Sequence, residues 1–128
     1  MAEKTRELTD APKVKLPRAA ASIAQAHPDL WKAYQRLGEL VGAAGPLGAR
    51  ERRLIHLAYA LGSASEGAAH SHARRALSEG ISEAELEHVA ILSATTLGWP
   101  QAIRALTIVQ DVTDAGKDTA DKAVALAP

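Results

Sequence analysis

Apolar residues recur along this chain every three or four positions, and no stretch alternates polar with apolar as a half-buried strand would. Pro17 suits the first position of a helix that Ala20, Ile23 and Ala24 carry to about His27. After Pro28 a second stripe runs through Leu30, Ala33, Tyr34, Leu37 and Val41 and stops at Gly42-Ala-Ala-Gly45-Pro46. A third helix is predicted over Ala49–Gly62, with Leu54, Leu57, Ala58 and Leu61 on its apolar face. The stretch Gly62–Gly80 gives a fourth, for which Ser63 and Glu66 have capping-box spacing and Ser65 is a competing cap. A second capping box, Ser82 to Glu85, starts a fifth helix predicted to reach Leu97. Pro100 then opens a sixth that Ile103, Leu106, Val109 and Val112 carry to about Asp114, and a short terminal helix follows Gly116. Residues 1–15 mix charges with Pro12 and read as a mobile arm. Ordering such an arm costs about 1–2 kcal/mol per residue, with little apolar surface to offset it. Residues 16–128 form one domain.

Composition narrows the architecture. The 128 residues include no Phe and only 3% aromatics, so the core is built from Ala, Leu, Val and Ile. Small side chains cannot fill wide gaps between layers, which favours helices packed closely on helices. The expectation is an all-α, compact bundle of about six helices. Fifteen basic and fifteen acidic residues cancel, leaving no global field to attract nucleic acid or an anionic membrane. No apolar run approaches the ~20 residues that span a bilayer, and the charged start lacks a signal-peptide core, so a cytoplasmic location is expected. The chain has no Cys, which removes disulfides, thiolate nucleophiles and thiolate-bound zinc.

Candidate chemistry concentrates in Gly62–Gly80, where Glu66, His70 and His72 sit among alanines and glycines. On a helix His70 and His72 point about 200° apart, so they serve different surroundings. Glu66 and His70 share a face at i and i+4 and form a possible hydrogen-bonded or metal-binding pair. His72 shares the buried-looking face of Ala68, Ala69, Ala73 and Ala76, either as a general acid–base or as a histidine satisfied by a carbonyl. Arg50, Arg52 and Arg53 crowd the start of the third helix, where the dipole disfavours cations. Solvation is the simpler expectation there, with contact to an anion or to a neighbour's carboxylate the alternative. His56 stands one turn beyond Arg53 as a candidate substrate contact, and Trp31 and Trp99 read as packing anchors.

Residues Leu54 to Leu106 resemble the carboxymuconolactone decarboxylase family, which includes the alkylhydroperoxidase D proteins. The likeness rests on His72, Ala76 and Gly80 in order, on Ser82-Glu-Ala-Glu-Leu86, and on the junction Thr95-Thr-Leu-Gly-Trp-Pro100. It implies an alkylhydroperoxidase D-like all-α subunit associated into trimers or hexamers, with its active-site helix near subunit contacts. Ser65 and Ala68 occupy the positions where the peroxidase branch carries its two cysteines, and Arg53 stands where that branch carries a relay glutamate. Without sulfur no thiol peroxidase cycle can run. The decarboxylase branch carries two glutamates before the histidine, of which this chain keeps Glu66 and has Ala68 for the other.

Three readings follow. The first is a cofactor-independent lyase, a decarboxylase or an isomerase, acting on a small anionic metabolite. In it His72 is the proton donor, Glu66 or His70 assists, and Arg53, Ser65 and His56 contact substrate. The second is a non-catalytic oligomeric helical scaffold. The third is a metal-binding module built on Glu66 and His70.

Overall fold

The computed structural model describes residues 16–125, with side chains as far as Asp114. The arm expected at residues 1–15 lies outside the described residues. Six α-helices follow one another, with no strand among the described residues: α1 Arg18–Ala26, α2 Pro28–Gly42, α3 Ala49–Gly62, α4 Glu66–Ser78, α5 Glu83–Leu92 and α6 Trp99–Ala125. The all-α expectation holds, and the bounds of α2 and α3 agree with the sequence pattern.

The core forms where α3, α4, α5 and α6 meet. Ala69, Ala73 and Ala76 of α4 are wholly buried, as are Leu57 of α3, Leu86 and Ala90 of α5 and Val109 of α6. Alanine is the device here: without long side chains on this face, α4 lies close against both α3 and α6.

Two helix ends shape what comes later. At the end of α4 the chain closes in a Schellman turn. The Gly80 N–H bonds the Leu77 carbonyl at 3.1 Å, and the Ile81 N–H bonds that of Ala76 at 3.0 Å. Gly80 takes a φ of +91°, which a β-carbon would resist, and Ile81 drops into the core at 4% exposure. Two residues on, the predicted capping box is present: Ser82 Oγ accepts from the Glu85 N–H at 3.2 Å, and the Glu85 carboxylate accepts from the Ser82 N–H at 2.8 Å. That N–H and Arg50 hold the Glu85 carboxyl below its usual range.

Three expectations need correction. The box proposed from Ser63 to Glu66 does not form. Residue Ser65 occupies the cap position without a side-chain bond, Ser63 turns back to the Ala60 carbonyl, and Glu66 binds Arg104. The left-handed Ala64 (φ 60°) explains this, since the chain turns sharply between α3 and α4. The fifth helix ends at Leu92 and not Leu97. Hydroxyls of Ser93, Thr95 and Thr96 bond back to nearby carbonyls and tighten the chain into a 3-10 turn, after which Gly98 (φ +102°) redirects it. Gly116 interrupts nothing, because α6 continues through it to Ala125; one glycine lowers helix stability by about 1 kcal/mol without ending the helix. The stripe of α2, by contrast with the core helices, is not buried among the described residues. Leu30, Tyr34, Leu37, Leu40 and Val41 are each more than half exposed, and neither α1 nor α2 has a buried residue.

Replacing Leu86 with Ala should cost about 2–5 kcal/mol, because a rigid alanine-lined core cannot collapse into the space. Ser82→Ala should cost about 1 kcal/mol through the lost cap. Urea denaturation midpoints at pH 7 measure both.

Candidate functional site

The stripe beside the alanine face of α4, about 100° around the helix from it, carries Ala68, His72, Arg75 and Glu79, spaced by four, three and four residues as one helical face requires. Two of these side chains meet α3. Arg53 lays its guanidinium against Glu79 in a two-pronged contact, with Nε and Nη2 each donating at 2.9 Å. The remaining nitrogen, Nη1, lies 3.0 Å from Nδ1 of His72. The Arg53 side chain is 18% exposed, so this cation works from within the fold and not from its surface.

That contact fixes the state of the histidine. A guanidinium only donates, so Nδ1 of His72 must offer its lone pair and the ring proton resides on Nε2. Burial first, then the nearby Arg53, push the pKa of His72 down from 6.5 to about 4. His56 and Arg75 add to the depression, and Glu79 opposes it. The His56 ring stands beside the His72 ring, centroids 5.4 Å apart and planes tilted by 49°. At neutral pH the residue is an uncharged imidazole with a fixed tautomer.

His72 also forms part of the wall of a groove of about 560 Å³ between α4 and the α1–α2 hairpin. Ser71 and Arg75 stand beside it on the same wall, and Ile23, Leu30, Trp31 and Tyr34 face them. A second hollow of about 370 Å³ lies on the far side of α3, lined mainly by aliphatic residues such as Leu54, Leu61, Val89 and Leu97. No titratable side chain lines it.

Of the residues singled out from the sequence, His72, Arg53 and His56 come together. Glu66 and His70 do not join them. The Glu66 carboxylate accepts from Arg104 of α6 at 2.9 Å, and His70 approaches Asp111 of the same helix at 3.4 Å. The expected Glu66–His70 side-chain pair is replaced by a contact of His70 Nδ1 with the Glu66 backbone carbonyl at 2.7 Å. Their donor atoms do not converge as metal ligands, and among the described residues no three His, Asp or Glu side chains do. Ser65 is exposed at the start of α4 and does not line the His72 groove. The arginines of α3 are not simply solvated, which corrects the simpler expectation. Arg50 pairs with Glu85, Arg52 donates to the Leu47 carbonyl at 2.5 Å, and Arg53 pairs with Glu79. Arg53 is therefore not a free anchor for an anion. Glu79 and Arg75 were not picked out from the sequence. Their signal was the helical stripe running on from His72, one and two turns further along α4.

The buried, arginine-bonded imidazole has a thermodynamic signature. A histidine whose folded pKa lies at about 4 and whose unfolded pKa is near 6.5 disfavours protonation in the fold. Its contribution to stability should be complete above pH 6.5 and be lost as pH falls from there to 4. His72→Gln should flatten this dependence, measured as urea midpoints across that range. The imidazole resonances of His72 should titrate well below those of an ordinary histidine.

The sequence of the chain was compared with family models and with curated proteins. The model of the carboxymuconolactone decarboxylase family matches residues 28–111, well over half of the chain. That span includes every member of the His72 cluster and stops at Asp111, the partner of His70. A comparison with curated proteins gives no match. With an all-helical fold and a family match over well more than half of its length, the chain belongs to the carboxymuconolactone decarboxylase family.

Proposed function

We propose that the protein is a cofactor-independent lyase or isomerase acting on a small anionic metabolite, with His72 as the group that meets the reacting oxygen. The observation that carries this reading is the Arg53–His72 hydrogen bond at the groove wall. It leaves one ring nitrogen, a proton-bearing Nε2, to serve a ligand. A neutral imidazole N–H suits an oxygen on which negative charge builds, because it donates without forming a permanent ion pair with the ground state. When a bond at the carbon beside a carbonyl breaks, the group on it departs as carbon dioxide in a decarboxylation or as a proton taken up by water in an isomerisation, and the electron pair passes to the carbonyl oxygen as an enolate. Nε2–H stabilises that oxygen, and the carbon later takes a proton from water. A preorganised donor of this kind accelerates a reaction by about 10²–10³-fold.

In this scheme Arg53 and Glu79 are positioning residues. Glu79 holds the guanidinium, and the guanidinium holds the imidazole. Glu66 and His70 take no part, being engaged with α6. With no cysteine in the chain, the thiol chemistry of the peroxidase branch does not operate.

We also propose that the protein acts as a homo-oligomer, with the apolar stripe of α2 from Leu37 to Val41, which does not line the His72 groove, covered by further copies. The stripe is helical in spacing and unburied in the single chain, as an interface would be. No helix among the described residues is long and apolar enough to cross a membrane, so a bilayer-spanning role does not account for it.

Two outcomes test these proposals. In a screen of small carboxylates and lactones followed by carbon-13 NMR, His72→Gln should lower kcat by about 10²–10³-fold with KM little changed. Turnover untouched by the substitution would sink the role of His72. Light scattering after size exclusion should show an assembly that Leu37→Glu or Leu40→Glu breaks into single chains; a wild-type monomer would overturn the oligomer.

A further inference from the structure

We infer that the groove between α4 and the α1–α2 hairpin takes a monocarboxylate with an apolar or aromatic body, its carboxylate held by Arg75. This rests on the proposal that the His72 groove is the reaction site and names the ligand class for it.

Arg75 carries the argument. Four arginines of the described chain are partly buried: Arg52, Arg53, Arg75 and Arg104. Arg52 binds a backbone carbonyl, Arg53 binds Glu79 and His72, and Arg104 binds Glu66. The guanidinium of Arg75 has neither a hydrogen-bond nor an ion-pair partner among the described residues. It lies one turn beyond His72 on the same face and lines the same groove, close enough for its charge to act on that imidazole. A partly buried cation without a counter-charge favours an anion, and a carboxylate matches its planar fork.

The rest of the wall limits the anion to one charge. No Asp or Glu lines the groove, and Arg75 is the one arginine or lysine among its lining residues, Arg53 being already neutralised by Glu79. A second carboxylate would find no second unpaired cation on that wall, and burying an unpaired charge is costly. Facing Arg75 are Ile23 and Leu30, together with the ring pair Trp31 and Tyr34, centroids 5.7 Å apart. These suit an alkyl chain or a flat ring. The volume of about 560 Å³ lies within the range of small-molecule sites. A carboxylate held by Arg75 is stabilised as an anion, so it acts as a handle and not as the leaving group.

Calorimetric titration of the full chain tests this with three probes: 4-phenylbutanoate, the neutral 4-phenylbutan-1-ol, and the dicarboxylate glutarate. The phenyl carboxylate should bind saturably, and each of the others at least about tenfold more weakly. Arg75→Gln should weaken the phenyl carboxylate by about ten- to a hundredfold and leave the alcohol unchanged. Absence of saturable binding, equal affinity for the alcohol or for glutarate, or an unchanged affinity in Arg75→Gln would overturn the inference. The probe comparison on the unaltered protein stands even if the variant folds poorly. Binding needs no turnover, so the two claims fail separately. Phenyl carboxylates that bind through Arg75 without any compound being transformed would refute the lyase or isomerase alone. A reaction that needs His72 and ignores Arg75 would refute the ligand class alone.

Discussion

One guanidinium ties the functional face of this protein to its fold. Arg53 is anchored on α3 and spends two nitrogens on Glu79 at the end of α4 and a third on His72 near the middle of that helix. A cation near the start of a helix is unfavourable by itself, by about 0.3–1 kcal/mol. A carboxylate in two-pronged contact offsets that cost, so the guanidinium can sit partly buried and keep its charge next to an imidazole. The consequence is a histidine held neutral and in one tautomer without any metal ligand or acidic partner of its own.

Behind this contact lies the alanine face of α4. Ala69, Ala73 and Ala76 bring the helix close to α3 and α6, and that closeness puts residues on its flank within reach of both neighbours. The result is a division of labour around α4. His72 and Glu79 turn to α3, and Glu66 and His70 turn to α6, where Arg104 and Asp111 receive them. Two histidines two positions apart thus belong to separate polar clusters, one lining a groove and one bracing the bundle.

Much of this was legible in the sequence. The helices stand where the apolar spacing and the prolines put them, because the signal is local: Pro28, Ser82 and Gly80 act on their own turns. The separation of His70 from His72 follows from helix geometry alone. What escaped depended on contacts distant in sequence. Glu66 looked like a cap because its spacing from Ser63 is right, but the left-handed Ala64 and the approach of Arg104 from α6 decide its position. Arg53 looked solvated because its partner lies on another helix. The stripe of α2 has the helical spacing that sets its bounds, yet among the described residues nothing buries it. Glu79 and Arg75 could have been found by extending the His72 stripe to the end of its helix.

The Schellman turn at Gly80 gives the site an unusual kind of constraint. Glu79 is the last residue before the chain leaves its helical path, so its direction is set by the same glycine that ends α4. The distance from His72 to that glycine therefore works as a ruler, not as a string of side chains with individual meanings. Residues between the marks can be exchanged, provided the alanine face stays small. Inserting or deleting a single residue would rotate Glu79 by about 100° relative to His72 and leave Arg53 able to reach only one of them. Across proteins that share this arrangement, length should be preserved here more strictly than identity.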